Sequence, residues 1–391
     1  MRVQNDLLLS LDTGDEAILI LLDLTSAFDT VDHQTLQSRL QRRFGLSGTV
    51  AKWFASYLKG RQQQVLIDDT RFDPTELQWG VPQGSVIGPI LFICYTAPLQ
   101  DIIHAHGLSS MMYADDTQLY ITVKPGQVSS VLPKIETCLS EIRLWMQENF
   151  LFLNDSKMEI LHLSSHLRHV QEFPPISVNN THTHPSKTVR NLGVVMDSHL
   201  SLRSQVNTLC QKASFALRRL GKVRRFLNKS STEILVHAFI SSILDNCNSL
   251  LAGINDRDIA KLQRIQNSAA RLVSLCNKYE HITPTLQNLH WLPIKSRIKY
   301  KILLLTFKCI NGSSPKYLSD LIVPYVPTKS LRSASQNLLV VKKGRTKTYG
   351  DRAFSCIAPI LWNSLPHSLR SESCIHSFQT KLKSHLFCES Y

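Results

Sequence analysis

The sequence predicts an α+β fold in which a sheet backed by helices precedes a mostly helical region. The first two hundred residues alternate short apolar, β-branched runs with helical stretches, as expected for a sheet and its covering helices. From Val206 onward, apolar residues recur at steps of three and four, which is the period of amphipathic helices. The chain has 391 residues, 43% of them hydrophobic and 19% charged, so it is long enough for two or three domains and excludes a wholly disordered protein.

The first half contains three predicted strands and two predicted helices. Ala17–Leu24 is a continuous apolar run bounded by charges, which is typical of a buried strand. The other predicted elements are strands at Gln62–Ile67 and Met111–Val123, and helices at Thr35–Phe44 and Val50–Leu58. The polar turn Asp115-Asp116-Thr117 is expected to divide Met111–Val123 into a hairpin.

The second half contains four predicted helices. The first runs from Val206 to Leu227, and its polar face carries the basic residues Lys212, Arg218, Arg219, Lys222, Arg224 and Arg225. The second is expected to begin at Ser230 with Glu233 completing a capping box, the third to cover 256–272, and the fourth to follow Pro293 and end at Asn311-Gly312. The last seventy residues are basic, rich in Ser and Pro, and only weakly periodic.

Charge is distributed unevenly along the chain. The net charge is +14, but residues 1–199 hold 15 Lys/Arg against 21 Asp/Glu, and residues 200–391 hold 29 against 9. An acidic half followed by a basic half favours a metal site next to a surface for a polyanion such as a nucleic acid. A solubilising basic face is the alternative.

Cysteines and hydropathy indicate an intracellular location, nuclear or cytoplasmic. Nine cysteines are scattered without C-x-x-C spacing, and the apolar stretch at residues 17–22 is preceded by acids, unlike a signal peptide. No run reaches 18 uninterrupted apolar residues, so we expect no transmembrane segment and no membrane partner.

Three carboxylates form the candidate catalytic group. Asp23 ends the apolar run at 17–24, and Asp115 and Asp116 stand side by side at the predicted hairpin turn. If the two strands are neighbours in one sheet, the three carboxylates meet at one end of it. Hard oxygen ligands of this kind suit Mg²⁺, and two such ions can activate a hydroxyl and stabilise a leaving phosphate oxygen. Taken singly, an Asp-Asp turn is usually only a turn, and Asp23 could cap a helix.

A glycine-rich segment lies between these acids in sequence, at Gly80-Val81-Pro82-Gln83-Gly84-Ser85. Glycine permits the backbone to approach a ligand closely, and a glutamine amide can donate to a base or a sugar. Considered alone, the segment is better explained as a tight loop before a helix.

These segments resemble the motifs of a reverse transcriptase. Leu22–His33 is similar to motif A, Gly80–Ser85 to motif B and Tyr113–Asp116 to motif C, in the family's order and spacing. Asn154 and Lys157 match motif D, and residues 191–194 resemble the primer-grip motif E. The set resembles the reverse transcriptase of non-long-terminal-repeat (LINE-type, jockey-like) retrotransposons. Residues 289–293, Leu-His-Trp-Leu-Pro, also resemble the tail of these elements but suggest no mechanism.

The resemblance implies a right-hand polymerase palm that synthesises DNA on an RNA template. It implies two Mg²⁺ ions, with Mn²⁺ as a possible substitute, held by Asp23, Asp115 and Asp116, and Lys157 as proton donor to pyrophosphate. It implies nucleotide contacts from Leu24, Phe28, Gln83 and Gly84, with Phe28 as the steric gate against a ribose 2′-OH. Primer and template contacts are expected from Leu192, Gly193, Lys212, Arg218, Arg219, Lys222 and Arg225. The implied partners are an RNA template, a DNA primer and deoxynucleoside triphosphates.

The resemblance also predicts a domain plan. Residues 1–199 would be the palm with partial fingers, 200–280 a basic helical thumb-like region, and 281–391 a basic region of unknown role. The chain starts about twenty residues before motif A, and finger segments of the family's pattern are missing, so a truncated and inactive nucleic-acid-binding remnant is the competing hypothesis. Cys374, His376, His385 and Cys388 could bind zinc, but apolar residues at helical spacing through the same stretch favour a packed helix.

Overall fold

The computed structural model describes residues 1–82, 84–165, 173–178, 181–327 and 336–391. The strands are β1 Glu16–Leu22, β2 Leu24–Thr25, β3 Gln62–Gln63, β4 Leu66–Ile67, β5 Thr70–Arg71, β6 Thr75–Glu76, β7 Ser109–Tyr113, β8 Asp116–Val123, β9 Phe152–Leu153, β10 Glu159–Leu163, β11 Ile176–Val178, β12 Thr181–Thr183, β13 Thr188–Asn191 and β14 Val194–Asp197. The helices are α1 Arg2–Thr13, α2 His33–Arg42, α3 Gly48–Leu58, α4 Gly88–Ala105, α5 Val128–Glu148, α6 Arg203–Val223, α7 Lys229–Val236, α8 Ser242–Asp245, α9 Asp256–Ser274, α10 Thr283–Asn288, α11 Ile294–Ile310, α12 Lys316–Ser319, α13 Phe354–Asn363, α14 His367–Arg370 and α15 Ile375–Ser390.

The chain forms two compact units. The sheet unit comprises Glu16–Leu163 and the chain that leads to Leu192. The helical unit comprises Met1–Asp15 and Gly193–Tyr391, with a short piece that includes Ser164. The α+β class is confirmed, since an antiparallel sheet with helices is followed by a helical region. The three-part domain plan stays a prediction.

An antiparallel sheet in the order β10-β1-β8-β7 is the centre of the sheet unit. Ile18, Ile20 and Leu22 of β1 lie in one buried apolar cluster with residues of α4 and α5. Alternate residues of a strand point to the same face, so these three side chains place both helices on one face of the sheet. Leu19 is also fully buried, which explains why β1 is apolar without alternation.

Two predicted elements of the sheet unit differ from the structure. Gln62–Ile67 is not one strand but two short ones, β3 and β4, which pair with β6 and β5 respectively. The turn between β7 and β8 is Ala114-Asp115, one residue earlier than predicted, with Ala114 in the left-handed region at φ 52°. Asp116 therefore pairs with Tyr113 as the first residue of β8.

A polar turn positions the basic helix α6 in the helical unit. The Asp197 carboxylate accepts hydrogen bonds from the backbone N–H groups of His199, Ser201 and Leu202 at 3.2, 2.9 and 2.8 Å. Leu202 is buried with φ 57°, and α6 begins at the next residue. These contacts satisfy N–H groups that precede the first turn of the helix.

The predicted helix at Ser230 begins earlier and has a different cap. Asn228, not Ser230, caps α7, because its side-chain oxygen accepts from the Ser231 N–H at 2.8 Å. Glu233, the expected capping-box partner, instead accepts from the Trp291 indole N–H at 3.2 Å. Distant partners of this kind are not visible in a local sequence pattern.

The C-terminal residues are more regular than their sequence predicts. Phe378 of α15 is fully buried, and its ring stacks on Phe307 of α11 at 4.3 Å between centroids. Leu382 and Leu386 of α15 are also buried, so the predicted packed helix over the Cys/His stretch is present. Over the ranges that the structure describes, no helix is both long and apolar enough to cross a membrane.

Candidate active site

The carboxylates meet at one edge of the sheet because of its strand register. The antiparallel strands β1 and β8 pair through Leu22↔Thr117. Asp23, which follows Leu22, therefore lies beside Asp116, which precedes Thr117. Asp115 occupies the β7–β8 turn directly before Asp116. The sheet thereby brings Asp23 to an acid pair that is distant from it in sequence.

The electrostatics of this edge favour a cation. The pKa of Asp116 is raised by burial and by the negative charges of Asp115 and Asp23. Neighbouring carboxylates disfavour one another's ionised form, and a divalent ion relieves that repulsion. The oxygen-only donor set therefore fits Mg²⁺. Among the described residues, the side chains as oriented form no group of three or more His, Cys, Asp or Glu that would enclose a metal.

The glycine-rich segment is held against the loop after Asp23. The Gly80 N–H donates to the Val31 carbonyl at 2.8 Å, and the Val81 N–H donates to the Phe28 carbonyl at 2.9 Å. Gly80 has φ 89°, and a Cβ there would lie 3.1 Å from the Asp29 carbonyl oxygen. Glycine is thus required by close approach of the two backbones.

Lys157 reaches the carboxylate edge. Its Nζ lies 3.1 Å from Asp23 Oδ2, although 65% of the lysine side chain is exposed. The loop that carries it is fixed by the Asn154 N–H, which donates to the Asp23 carbonyl at 2.9 Å. Asp155 in the same loop pairs with Arg143 of α5. The motif D and motif A segments are therefore in direct contact.

A cavity of about 400 Å³ opens at this edge. Of the predicted site residues, Asp23, Asp116, Lys157 and Leu192 line it, whereas Asp115, Leu24, Phe28 and Gly84 do not. Leu24 pairs with Leu153 in the sheet formed by β2 and β9. Gln83 lies outside the described residues.

Phe28 packs on the core side of its loop. Its ring lies 4.8 Å from the Phe92 ring of α4, and the side chain is half-buried against the core cluster. The ring thus packs against α4, while the Phe28 carbonyl accepts from the Val81 N–H.

Sequence patterns missed several polar residues that line the cavity, among them Gln118, Glu159 and Arg190, and gave Asn191 only as part of the motif E segment. The Asn191 amide donates to Gln118 Oε1 at 3.0 Å, and the Gln118 Nε2 is buried with no partner in the described part of the chain. Gln118 lies two residues beyond Asp116 on β8, so the period-2 rule places both on one face of the strand. That rule is the signal that could have found it.

The helical unit carries a separate basic surface. Lys212, Arg218, Arg219, Lys222 and Arg225 are all exposed on α6 and the turn after it. Lys212 and Gly193 line one cavity of about 340 Å³. Arg224 is different, because it donates to the carbonyls of Leu272 and Leu227 and is half-buried.

Exposed aromatic side chains interleave with these cations. The Arg219 guanidinium lies 5.7 Å from the Phe215 ring centroid, and that of Arg225 lies 4.7 Å from the Phe226 ring. Both phenylalanines are exposed, and neither belongs to a motif that the sequence makes visible. Cations beside exposed rings are suited to phosphates and stacked bases.

The family model described as "Reverse transcriptase (RNA-dependent DNA polymerase)" matches residues 5–196. These residues belong to the reverse transcriptase family. The matched segment contains the whole carboxylate edge, the glycine-rich loop and Lys157.

The curated relatives that the chain is similar to are RNA-directed DNA polymerases of mobile elements and transposons. The chain is 27% identical over 216 residues to the RNA-directed DNA polymerase from mobile element jockey of Drosophila funebris, which covers 53% of this chain and 22% of the relative. It is 24% identical to the probable polymerase from transposon X-element of Drosophila melanogaster, covering 70% and 30% respectively. For the transposon BS polymerase of the same fly the identity is 23%, covering 76% and 33%. The chain thus spans about a fifth to a third of the length of these relatives.

Solved telomerase structures are also similar to much of this chain. A telomerase from Candida albicans in complex with a telomeric RNA fragment gives a TM-score of 0.37 at 12% identity, covering 73% of this chain and 51% of that one. Apo telomerase from Candida tropicalis gives 0.39 at 13% identity, covering 81% and 53%.

Proposed function

We propose that this chain is an RNA-directed DNA polymerase that extends a DNA primer on an RNA template. The observation that carries the proposal is the juxtaposition of Asp23 and Asp116 at the end of β1 and β8, with Lys157 in contact with Asp23. Family membership supports the reaction class, since residues 5–196 match the reverse transcriptase model.

Asp23, Asp115 and Asp116 are the proposed ligands of two Mg²⁺ ions, which Mn²⁺ could replace. When bound, the ions would supply charge stabilisation for phosphoryl transfer and lower the pKa of the attacking primer hydroxyl. Lys157 would give a proton to the departing pyrophosphate. Its exposure leaves the ammonium free to move between Asp23 and a substrate oxygen.

The proposed contacts to the nucleotide, the primer and the template follow from the polymerase assignment. Phe28 would exclude a ribose 2′-OH, and its packing on Phe92 supports that role because a fixed ring can discriminate by shape. Leu24, Gln83 and Gly84 are proposed at the incoming deoxynucleotide, and Leu192 and Gly193 at the primer. The exposed cations of α6 would hold the template and primer by their phosphates, as a thumb-like region does.

The test is primer extension on an RNA template with Mg²⁺ and deoxynucleoside triphosphates. Replacing Asp115 and Asp116 together by Asn should lower the rate by at least about a thousandfold, because these carboxylates would hold the ions that stabilise the reacting phosphate.

The chain offers a matched control. Asp68-Asp69 is also an acid pair at a hairpin turn, between β4 and β5, and it is exposed. Its Asp→Asn double variant should extend primers at the parental rate. A folded parent that binds duplex but extends no primer would reject the polymerase assignment and support the alternative, a nucleic-acid-binding protein without catalysis.

A further inference from the structure

A second cavity, of about 560 Å³, lies within the helical unit. It adjoins residues 289–292 of the Leu-His-Trp-Leu-Pro segment, to which the polymerase function gives no role. Its lining residues are Glu233, His237, Asp245, Asn248, Leu289, His290, Trp291, Leu292, Arg297, Tyr300, Lys301 and Lys383. The volume is within the range of sites that bind small organic groups.

Fixed polar pairs form the wall of this cavity. The buried Trp291 donates its indole N–H to Glu233 Oε1 at 3.2 Å, and its carbonyl accepts from the Tyr391 hydroxyl at 2.7 Å. Arg297 holds Asp245 with two hydrogen bonds, one of 2.8 Å from Nε to Oδ1. Both acids of the cavity thus have hydrogen-bond donors, and Arg297 balances the charge of Asp245.

One buried acceptor has no partner. Asn248 is only 5% exposed, and its Nδ2 donates to Asp245 Oδ1 at 3.2 Å. Because a carboxylate can only accept, this bond fixes the orientation of the amide and leaves Oδ1 as the other atom. That Oδ1 has no hydrogen-bond partner in the described part of the chain. A buried acceptor without a donor is costly, and a ligand N–H would satisfy it.

Two cations at the same cavity are also unpaired. Lys301 of α11 and Lys383 of α15 line it, and neither has an ion pair or hydrogen bond to another described residue. The neighbouring lysines of the same helices, Lys299 and Lys381, do have acidic partners, Glu389 and Glu372. The cavity therefore presents net positive charge suited to an anionic group.

We infer that this cavity binds one nucleotide of a single-stranded nucleic acid. The phosphate would lie at Lys301 and Lys383, and a base N–H would reach Asn248 Oδ1. Tyr300, His237 and His290 supply flat side chains against which a base can stack. A duplex hides its base edges in pairing, so a single strand fits this combination better.

The choice of a nucleic acid as the ligand rests on the proposed function. The evidence for a binding site, which is the set of unpartnered groups, is independent of that function. An acidic peptide would meet the two lysines equally well, but it would gain nothing from the aromatic lining. Binding can be measured without catalysis, so its failure and the failure of the polymerase proposal are distinguishable.

The first measurement is the affinity of the 391-residue protein for a short fluorescent oligoadenylate RNA and for a duplex of the same length. Lys301→Gln with Lys383→Gln should weaken single-strand binding by about fivefold or more and leave duplex binding within about twofold. The matched control is Lys295→Gln with Lys381→Gln, which makes the same charge change on the same two helices. Equal losses for both double variants, or an equal loss for the duplex, would overturn the inference.

The second measurement tests the base contact. An oligonucleotide that carries purine in place of adenine lacks the amino group and should bind the parent more weakly, by about threefold or more. Asn248→Ala, checked for its melting temperature, should bind both probes equally. Equal binding of the two probes by the parent would exclude the Asn248 contact, and full competition by free AMP at the strand's own affinity would show a mononucleotide site instead.

Discussion

The two units use their carboxylates in opposite ways. In the sheet unit, Asp23, Asp115 and Asp116 are gathered next to one another, and the pKa of Asp116 is raised. In the helical unit, Asp12 and Asp197 are each surrounded by backbone N–H donors. An acid that the fold supplies with donors is a structural element, whereas acids that the fold presses together require a cation from outside.

Asp12 should contribute the largest stabilisation of these acids. Its carboxylate accepts from the Arg345 N–H at 2.7 Å and from the Thr346 N–H and hydroxyl at 2.7 and 2.8 Å. A Cβ at Gly350 would overlap the same carboxylate, so the loop is closed tightly around it. Asp12→Ala should lower the free energy of unfolding by about 3 kcal/mol, because at least three partly buried hydrogen bonds lose their charged acceptor. Urea denaturation would measure this change.

The control for Asp12 lies on the same helix. Asp6 pairs with Arg2 at 2.8 Å one turn away and near the surface, so Asp6→Ala should cost less than about 0.5 kcal/mol. Asp12→Ala alone should also expose the bonds after Arg345 and Lys347 to trypsin. Equal stability losses for the two variants would contradict the assigned role of Asp12.

Lowering the pH should weaken the hydrogen bonds to the Asp12 carboxylate. Burial raises the pKa of Asp12, but the hydrogen bonds from Arg345, Thr346 and Gly350 outweigh burial and bring it below its ordinary value of 3.8. A carboxyl whose folded pKa is depressed stabilises the fold above its unfolded pKa and loses that effect as the pH falls through the folded value. The stability difference between the parent and Asp12→Asn should therefore be constant near neutral pH and shrink below about pH 4.

The basic surface of α6 should give an intermediate effect on binding and almost none on stability. Arg218→Gln with Arg219→Gln removes two exposed cations, so affinity for a template–primer duplex should fall by about tenfold, and the salt-dependence slope should decrease by about two. Affinity measured at several salt concentrations tests both. The control is Lys295→Gln with Lys381→Gln, which lies outside α6 and should keep the parental salt-dependence slope. A parental slope in the Arg double variant would show that α6 does not contact the duplex.

The sequence predicted the elements that are determined by neighbouring residues. It missed the features that depend on contacts between residues far apart in the sequence. The apolar run at β1 and the acid pair after β7 were sufficient to predict a carboxylate edge, because the period of a strand fixes where its end residue lies. The cap of α7 and the partner of Glu233 were not predictable, since Trp291 is 58 residues away. Gln118, Glu159 and Arg190 belong to no motif that the sequence analysis identified, and only the fold brings them to the cavity. Helix α15 was predicted from its apolar spacing, whereas α13 was not predicted.

Replacing Asp116 should change the free energy of unfolding least, and in the direction opposite to replacing Asp12. The raised pKa of an acid means that its ionised form is disfavoured in the folded state, so the charge costs stability near neutral pH and the cost disappears as the pH falls through the folded pKa. Asp116→Asn should thus increase the free energy of unfolding in a chelator, by less than about 1 kcal/mol because the side chain is solvent-accessible. Millimolar Mg²⁺ should raise the melting temperature of the parent more than that of the variant, since only the parent keeps the full set of ligands. A variant that is less stable than the parent in the chelator would mean that Asp116, like Asp12, is held by donors, and the contrast between the two units would fail at its most specific point.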